Sequence, residues 1–68
     1  MSKVKEYRLK ARLSQSELAK RAGIDDRTVK RAEEDQAIQD VKAAAIADAL
    51  SEALQIPLSI DDLAIVIL

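Results

Sequence analysis

The chain holds a single glycine, Gly23, and a single proline, Pro57, and this scarcity of breakers limits what its 68 residues can form. Between them run stretches rich in Ala and Leu, which favour short, closely packed helices over strands. Tyr7 is the only aromatic residue, so the core must be built from aliphatic side chains. Alanine faces bury little area each, so modest stability, or support from a second copy, is expected. Cysteine and histidine are both absent, which removes disulfides, thiolate nucleophiles and the usual zinc sites. No metal or other cofactor is expected. A reducing, cytoplasmic setting fits this usage. The charged opening Met1-Ser2-Lys3-Val4-Lys5-Glu6 carries no sign of a signal peptide. The longest apolar run, Leu63 to Leu68, is far short of the roughly 20 residues that span a bilayer.

Five helices are expected, arranged as one domain over residues 1–68. The first runs from about Lys3 to Arg12, with Val4, Tyr7 and Ala11 at helical spacing. Ser14 followed by Glu17 reads as a capping box that opens the second helix, and Gly23 closes it. Leu18, Ala19 and Ala22 form its inner stripe. Either Asp25 or Asp26 caps the third helix, which runs to about Asp35 with Val29 and Ala32 inward. Asp40 is expected to cap the fourth, where Ile46, Ala47, Leu50, Ala53 and Leu54 share a face opposite Asp48 and Glu52. Pro57 breaks it, and Ser59 caps a short fifth helix. The tail Ile65-Val66-Ile67-Leu68 suits either a helical extension or a β-strand. It serves either as core filling or as a homodimer contact, together with the last helix from residue 59.

Charge divides the chain sharply. Residues 1–31 carry ten Lys/Arg and four Asp/Glu, a net of +6, whereas residues 32–68 carry Lys42 and eight acidic residues, a net of −7. Such a split favours one half facing a polyanion while the other faces away.

Residues 14–35 supply two short helices joined through a glycine-containing turn, the arrangement that a helix-turn-helix requires. With Val29 taken as the buried direction and about 100° per residue, Arg27, Lys30, Arg31 and Glu34 fall on the outer side of the third helix. An arginine there can read guanine O6 and N7 bidentately. Glu33 lies only about 40° from Val29, and Arg8 about 40° from Val4 on the first helix. Opposite charges on two inward faces need each other, since an unpaired buried charge is expensive. A structural salt bridge between Arg8 and Glu33 is therefore expected.

The run Leu13-Ser14-Gln15-Ser16-Glu17-Leu18-Ala19-Lys20-Arg21-Ala22-Gly23-Ile24, followed by Arg27-Thr28-Val29-Lys30-Arg31-Ala32-Glu33, resembles the signature of the lambda-repressor-like (Cro/CI, or XRE) helix-turn-helix family. The likeness covers roughly residues 4–58, and it places Arg8 as partner of Glu33. It implies an all-α, compact bundle of about five short helices that binds double-stranded DNA, commonly as a dimer on a two-fold-related site. By position it implies base-reading roles for Asp26, Arg27, Lys30 and Arg31. It also implies phosphate contacts for Gln15 and Thr28, a steadying contact from Gln15 to the first reading residue, and a close helix approach at Ala19. Where the family often has Asn-Gly after its glutamate, this chain has Glu34-Asp35, which predicts a longer third helix. Asp26 replaces a more usual neutral polar residue, and the stretch Val41 to Leu54 is about one turn longer than is typical.

The leading functional expectation is a small transcriptional regulator, such as a phage or plasmid repressor or an antitoxin-like autorepressor, bound as a homodimer to a two-fold-related operator. No small-molecule ligand and no membrane are expected as partners. The alternative is a protein–protein interaction module that reuses the fold with weak or no DNA binding, which the acidic second half and the apolar tail would suit. No enzyme is expected: Asp25-Asp26 and Asp61-Asp62 are better explained as helix caps than as catalytic carboxylates.

Overall fold

The computed structural model describes residues 1–68, and they form five helices with no strand. Helix α1 spans Val4–Lys10 and buries Val4 and Arg8. It stops two residues short of the sequence expectation because Arg12 takes a left-handed conformation, φ 59°, and turns the chain. Helix α2 spans Gln15–Ala22. Its capping box is complete: the Ser14 hydroxyl accepts from the Glu17 amide at 3.0 Å, and the Glu17 carboxylate accepts from the Ser14 amide at 2.8 Å. Gly23 ends it at φ 72°, a conformation that glycine adopts without the steric cost a Cβ brings.

Helix α3 spans Asp26–Glu33, with Thr28, Val29 and Ala32 buried. It ends at Glu33, two residues short of the expectation from Glu34-Asp35. Asp35 itself adopts the left-handed state, φ 61°, and its carboxylate accepts from the Ser2 amide at 2.6 Å. Aspartate tolerates that conformation better than most side chains, so it stops the helix without glycine. Asp25 occupies the cap position but bonds no amide of the helix with its side chain. It accepts from the Thr28 hydroxyl instead, at 2.5 Å.

Helix α4, Asp40–Leu54, is the longest and buries Ala43, Ile46, Ala47, Ala49 and Leu50. Gln39 stands at its cap position, and Asp40 is its first residue. It packs against α2 and also meets α1, α3 and α5. After Pro57, the Ser51 hydroxyl holds the loop by donating to the Leu58 carbonyl and accepting from the Leu58 amide. Helix α5, Ile60–Leu63, opens on a second capping box, Ser59 with Asp62.

The tail neither extends α5 nor makes a full strand. Ala64 turns left-handed and Ile65 is buried. The next residues lie extended beside Ile38, whose amide donates to the Val66 carbonyl and whose carbonyl accepts from the Leu68 amide. One parallel bridge, Ile38 with Ile67, results. Leu18, Ile46, Leu50, Leu63, Val4 and Val29 form the fully buried centre of the core. The radius of gyration is 10.0 Å, against roughly 11 Å expected for a chain of this length, so the packing is tight despite the alanines. No helix is long and apolar enough to cross a membrane.

Candidate nucleic-acid interface

The two faces of α3 are built from opposite chemistry. On the inner side, Glu33 receives three donors. Arg8 Nε donates to its Oε2 at 2.5 Å and Arg8 Nη2 to its Oε1 at 3.3 Å. Gln15 Nε2 donates to Oε1 at 3.0 Å. Arg8 Nη1 also donates to the Leu13 carbonyl at 3.0 Å. The Arg8 and Glu33 side chains are only 10% and 6% exposed, so water does little to screen this pair. The network joins the last turn of α1 and the start of α2 to the end of α3. It fixes how the helix-turn-helix sits on the bundle, and no buried side-chain polar atom is left without a partner.

On the outer side, Arg27, Lys30 and Arg31 are exposed. None of the three pairs with a carboxylate, since the ion pairs are Arg8 with Glu33, Lys10 with Glu6, and Lys42 with Asp25. Arg31 Nη2 donates only to the neutral Ala37 carbonyl, at 3.1 Å. Lys42, the one basic residue of the second half, lines a concavity of about 270 Å³ together with Arg31 and Leu68. Lys42 is, however, paired with Asp25 at 3.7 Å, and Asp40 shares the first turn of α4.

Two residues sit differently from the expectation. Gln15 commits one amide N–H to Glu33, inside the fold, and does not reach the first residue of α3. Ser16 takes that part: its hydroxyl donates to Asp26 Oδ2 at 2.8 Å across the turn. Thr28, expected at a phosphate, is only 6% exposed and its hydroxyl proton lies on Asp25. Of the reading candidates, Arg27 and Lys30 are unengaged, whereas Asp26 and Arg31 each hold one intramolecular bond. Sequence reasoning missed Ser16 and Lys42. The signal for Ser16 was a hydroxyl one residue inside α2, on the turn that a helix-turn-helix sets beside the start of its second helix. Lys42 was flagged only as an exception to the charge split.

Carboxylates near the two interhelical turns are held ionised by local donors. The Ser14 amide and then its hydroxyl lower the Glu17 pKa. The Thr28 hydroxyl is the main cause that lowers the Asp25 carboxyl, with Lys42 adding to it.

A short helix that buries its Glu33 side and presents three cations without carboxylate partners, braced by a capped helix across a glycine turn, defines a helix-turn-helix protein. A family model described as Helix-turn-helix, of the XRE and lambda-repressor-like kind, matches residues 4–60. The chain belongs to that family. It is a non-enzymatic family of DNA-binding transcriptional regulators, so DNA is the partner implied. No curated protein and no solved structure matches the chain.

Proposed function

We propose that this protein is a sequence-specific regulator that occupies a two-fold-related operator as a homodimer, in the manner of a small phage, plasmid or antitoxin-like repressor in the cytoplasm. The observation that carries this reading is the row of Arg27, Lys30 and Arg31, exposed and without carboxylate partners on the side of α3 opposite Val29 and Ala32. A row of guanidinium and ammonium groups on an eight-residue helix suits the major groove, where arginine reads guanine and lysine reaches guanine or phosphate. The dimer is supported by apolar side chains left outside the core: Val41 on α4 is 74% exposed and Leu68 in the tail 77%.

Binding should weaken steeply as salt rises, because neutralising phosphates releases counterions. Arg27→Ala and Arg31→Ala should each flatten the preference among duplex sequences while leaving the fold intact. If neither changes that preference, α3 is not the reading helix.

A further inference from the structure

The hydrogen bond from Ser16 to Asp26 joins the first turns of α2 and α3 at an exposed position. Resting on the DNA-binding reading above, we infer that Ser16 and Asp26 form a built reader for an exocyclic amine, and that Asp26 selects cytosine within the half-site.

The chemistry follows from what each group can offer. An aspartate carboxylate only accepts hydrogen bonds. In the major groove the amine donors are cytosine N4 and adenine N6, and the adenine amine sits beside an N7 acceptor that would face a second carboxylate oxygen. Cytosine presents its amine without that neighbour. Asp26 has one oxygen committed: Oδ2 accepts from the Ser16 hydroxyl at 2.8 Å, and no donor within the fold bonds Oδ1. The bond tethers one oxygen beside α2 and leaves the other unengaged, so it biases the carboxylate toward one orientation before DNA arrives. Ser16 is therefore a positioning residue and Asp26 the contact. Arg27, the next residue along α3, is exposed and unpaired. An acceptor followed by a bidentate donor suits cytosine and guanine at the same or a neighbouring base pair. The surrounding cations Arg27 and Lys30 also reduce the repulsion that a lone carboxylate would meet near phosphates.

The other carboxylates at the turns differ in kind. Glu17 is closed into its capping box, and Asp25 is held by the Thr28 hydroxyl and Lys42. Asp26 instead shares the first turn of α3 with Arg27, which is exposed and unpaired, and its Oδ1 accepts no bond within the fold.

The test is selection of bound duplexes from a random library, run on the full chain and on Asp26→Asn, Ser16→Ala and Ser16→Thr. The wild type should select a half-site with a cytosine preferred by about tenfold over the other bases at one position, within the range for single base contacts. Asp26→Asn should move that position toward adenine, because an amide can pair with adenine N6 and N7. The other positions should keep their bases. Ser16→Ala should flatten the cytosine preference severalfold at that position only, and Ser16→Thr, which restores a hydroxyl, should bring it back. An unchanged consensus in Asp26→Asn overturns the inference while leaving the DNA-binding reading in place. A flattening spread evenly over all positions in Ser16→Ala assigns Ser16 a merely structural part and overturns its positioning role. A wild type that selects no consensus at all brings down both the inference and the reading beneath it.

Discussion

The inner and outer faces of α3 use the same kinds of residue to opposite ends. Inside, one guanidinium and one carboxylate are nearly dry and have every polar side-chain atom hydrogen-bonded: Arg8 and Glu33, with Gln15 and the Leu13 carbonyl completing the set. Outside, Arg27, Lys30 and Arg31 stand in solvent with no opposite charge. A charge that is buried and paired holds a helix in position. A charge that is exposed and unpaired contributes little to stability and is available to a partner. The contrast teaches that stability and recognition sit on separate sides of one eight-residue helix, and that they can be broken separately.

The sharpest break is on the inner side. Arg8→Met should destabilise the fold by roughly 3–5 kcal/mol, because it strands the Glu33 carboxylate without its main partner. The double variant Arg8→Met with Glu33→Leu should recover much of that loss, as a well-packed apolar pair can replace a buried ion pair. Urea unfolding of the two variants checks both claims. A small loss in the single variant would mean that the pair is solvated after all.

The outer side should respond in the reverse sense. Arg27→Ala should leave stability within about 0.5 kcal/mol of wild type, the usual range for surface changes. It should nevertheless reduce discrimination between cognate and non-cognate duplexes by roughly 1–3 kcal/mol. Fluorescence titration against both duplexes, paired with a thermal melt, reads the two effects side by side.

Smaller effects test how the helices that carry these faces are held. Ser14→Ala should cost about 1 kcal/mol through loss of the α2 cap. The pH signature of the two capping boxes follows from the Glu17 and Asp62 carboxyls, both held below their ordinary values chiefly by the backbone amides of Ser14 and Ser59. A depressed carboxyl adds stability that is present above the unfolded pKa of about 4 and is lost as pH falls through the lower folded value. Thermal melts from pH 6 downward should therefore show a decline below about pH 4, and the double variant Glu17→Gln with Asp62→Asn, which leaves no carboxyl to protonate at either cap, should blunt it. The smallest expected change is a gain. Ala64→Gly should stabilise the fold by a few tenths of a kcal/mol, because Ala64 closes α5 at φ 53° with a Cβ that this conformation disfavours.

The fold was readable to the extent that it depends on periodicity and caps. Ser14, Gly23, Val29, Pro57 and Ser59 mark the helices within a residue or two, because each acts through local geometry. The Arg8 and Glu33 pairing was also legible, since two inward charges on adjacent helices have few other partners. The ends of α1 and α3 were not. Arg12 and Asp35 adopt left-handed conformations that their residue types only weakly signal, and tertiary contacts such as Ser2 to Asp35 decide them. The tail was undetermined for a similar reason: its extended form depends on Ile38, nearly thirty residues away along the chain. Within the candidate site, helical angles picked out which side chains face outward. They did not show which hydroxyls and amides are committed inside, as with Thr28 on Asp25, Gln15 on Glu33 and Ser16 on Asp26. Those bonds depend on distances between helices, which periodicity along one helix does not contain.

The most direct test of the two-faced helix is a titration of ¹⁵N-labelled protein with duplex DNA, followed residue by residue by amide chemical shift at low salt. The largest changes should fall on Asp26 to Arg31 and on Ser14 to Ser16, with Lys42 at the margin and little movement at Ala47, Leu50 or Leu63. Changes concentrated on the tail and α5, with the outer row of α3 silent, would contradict the account.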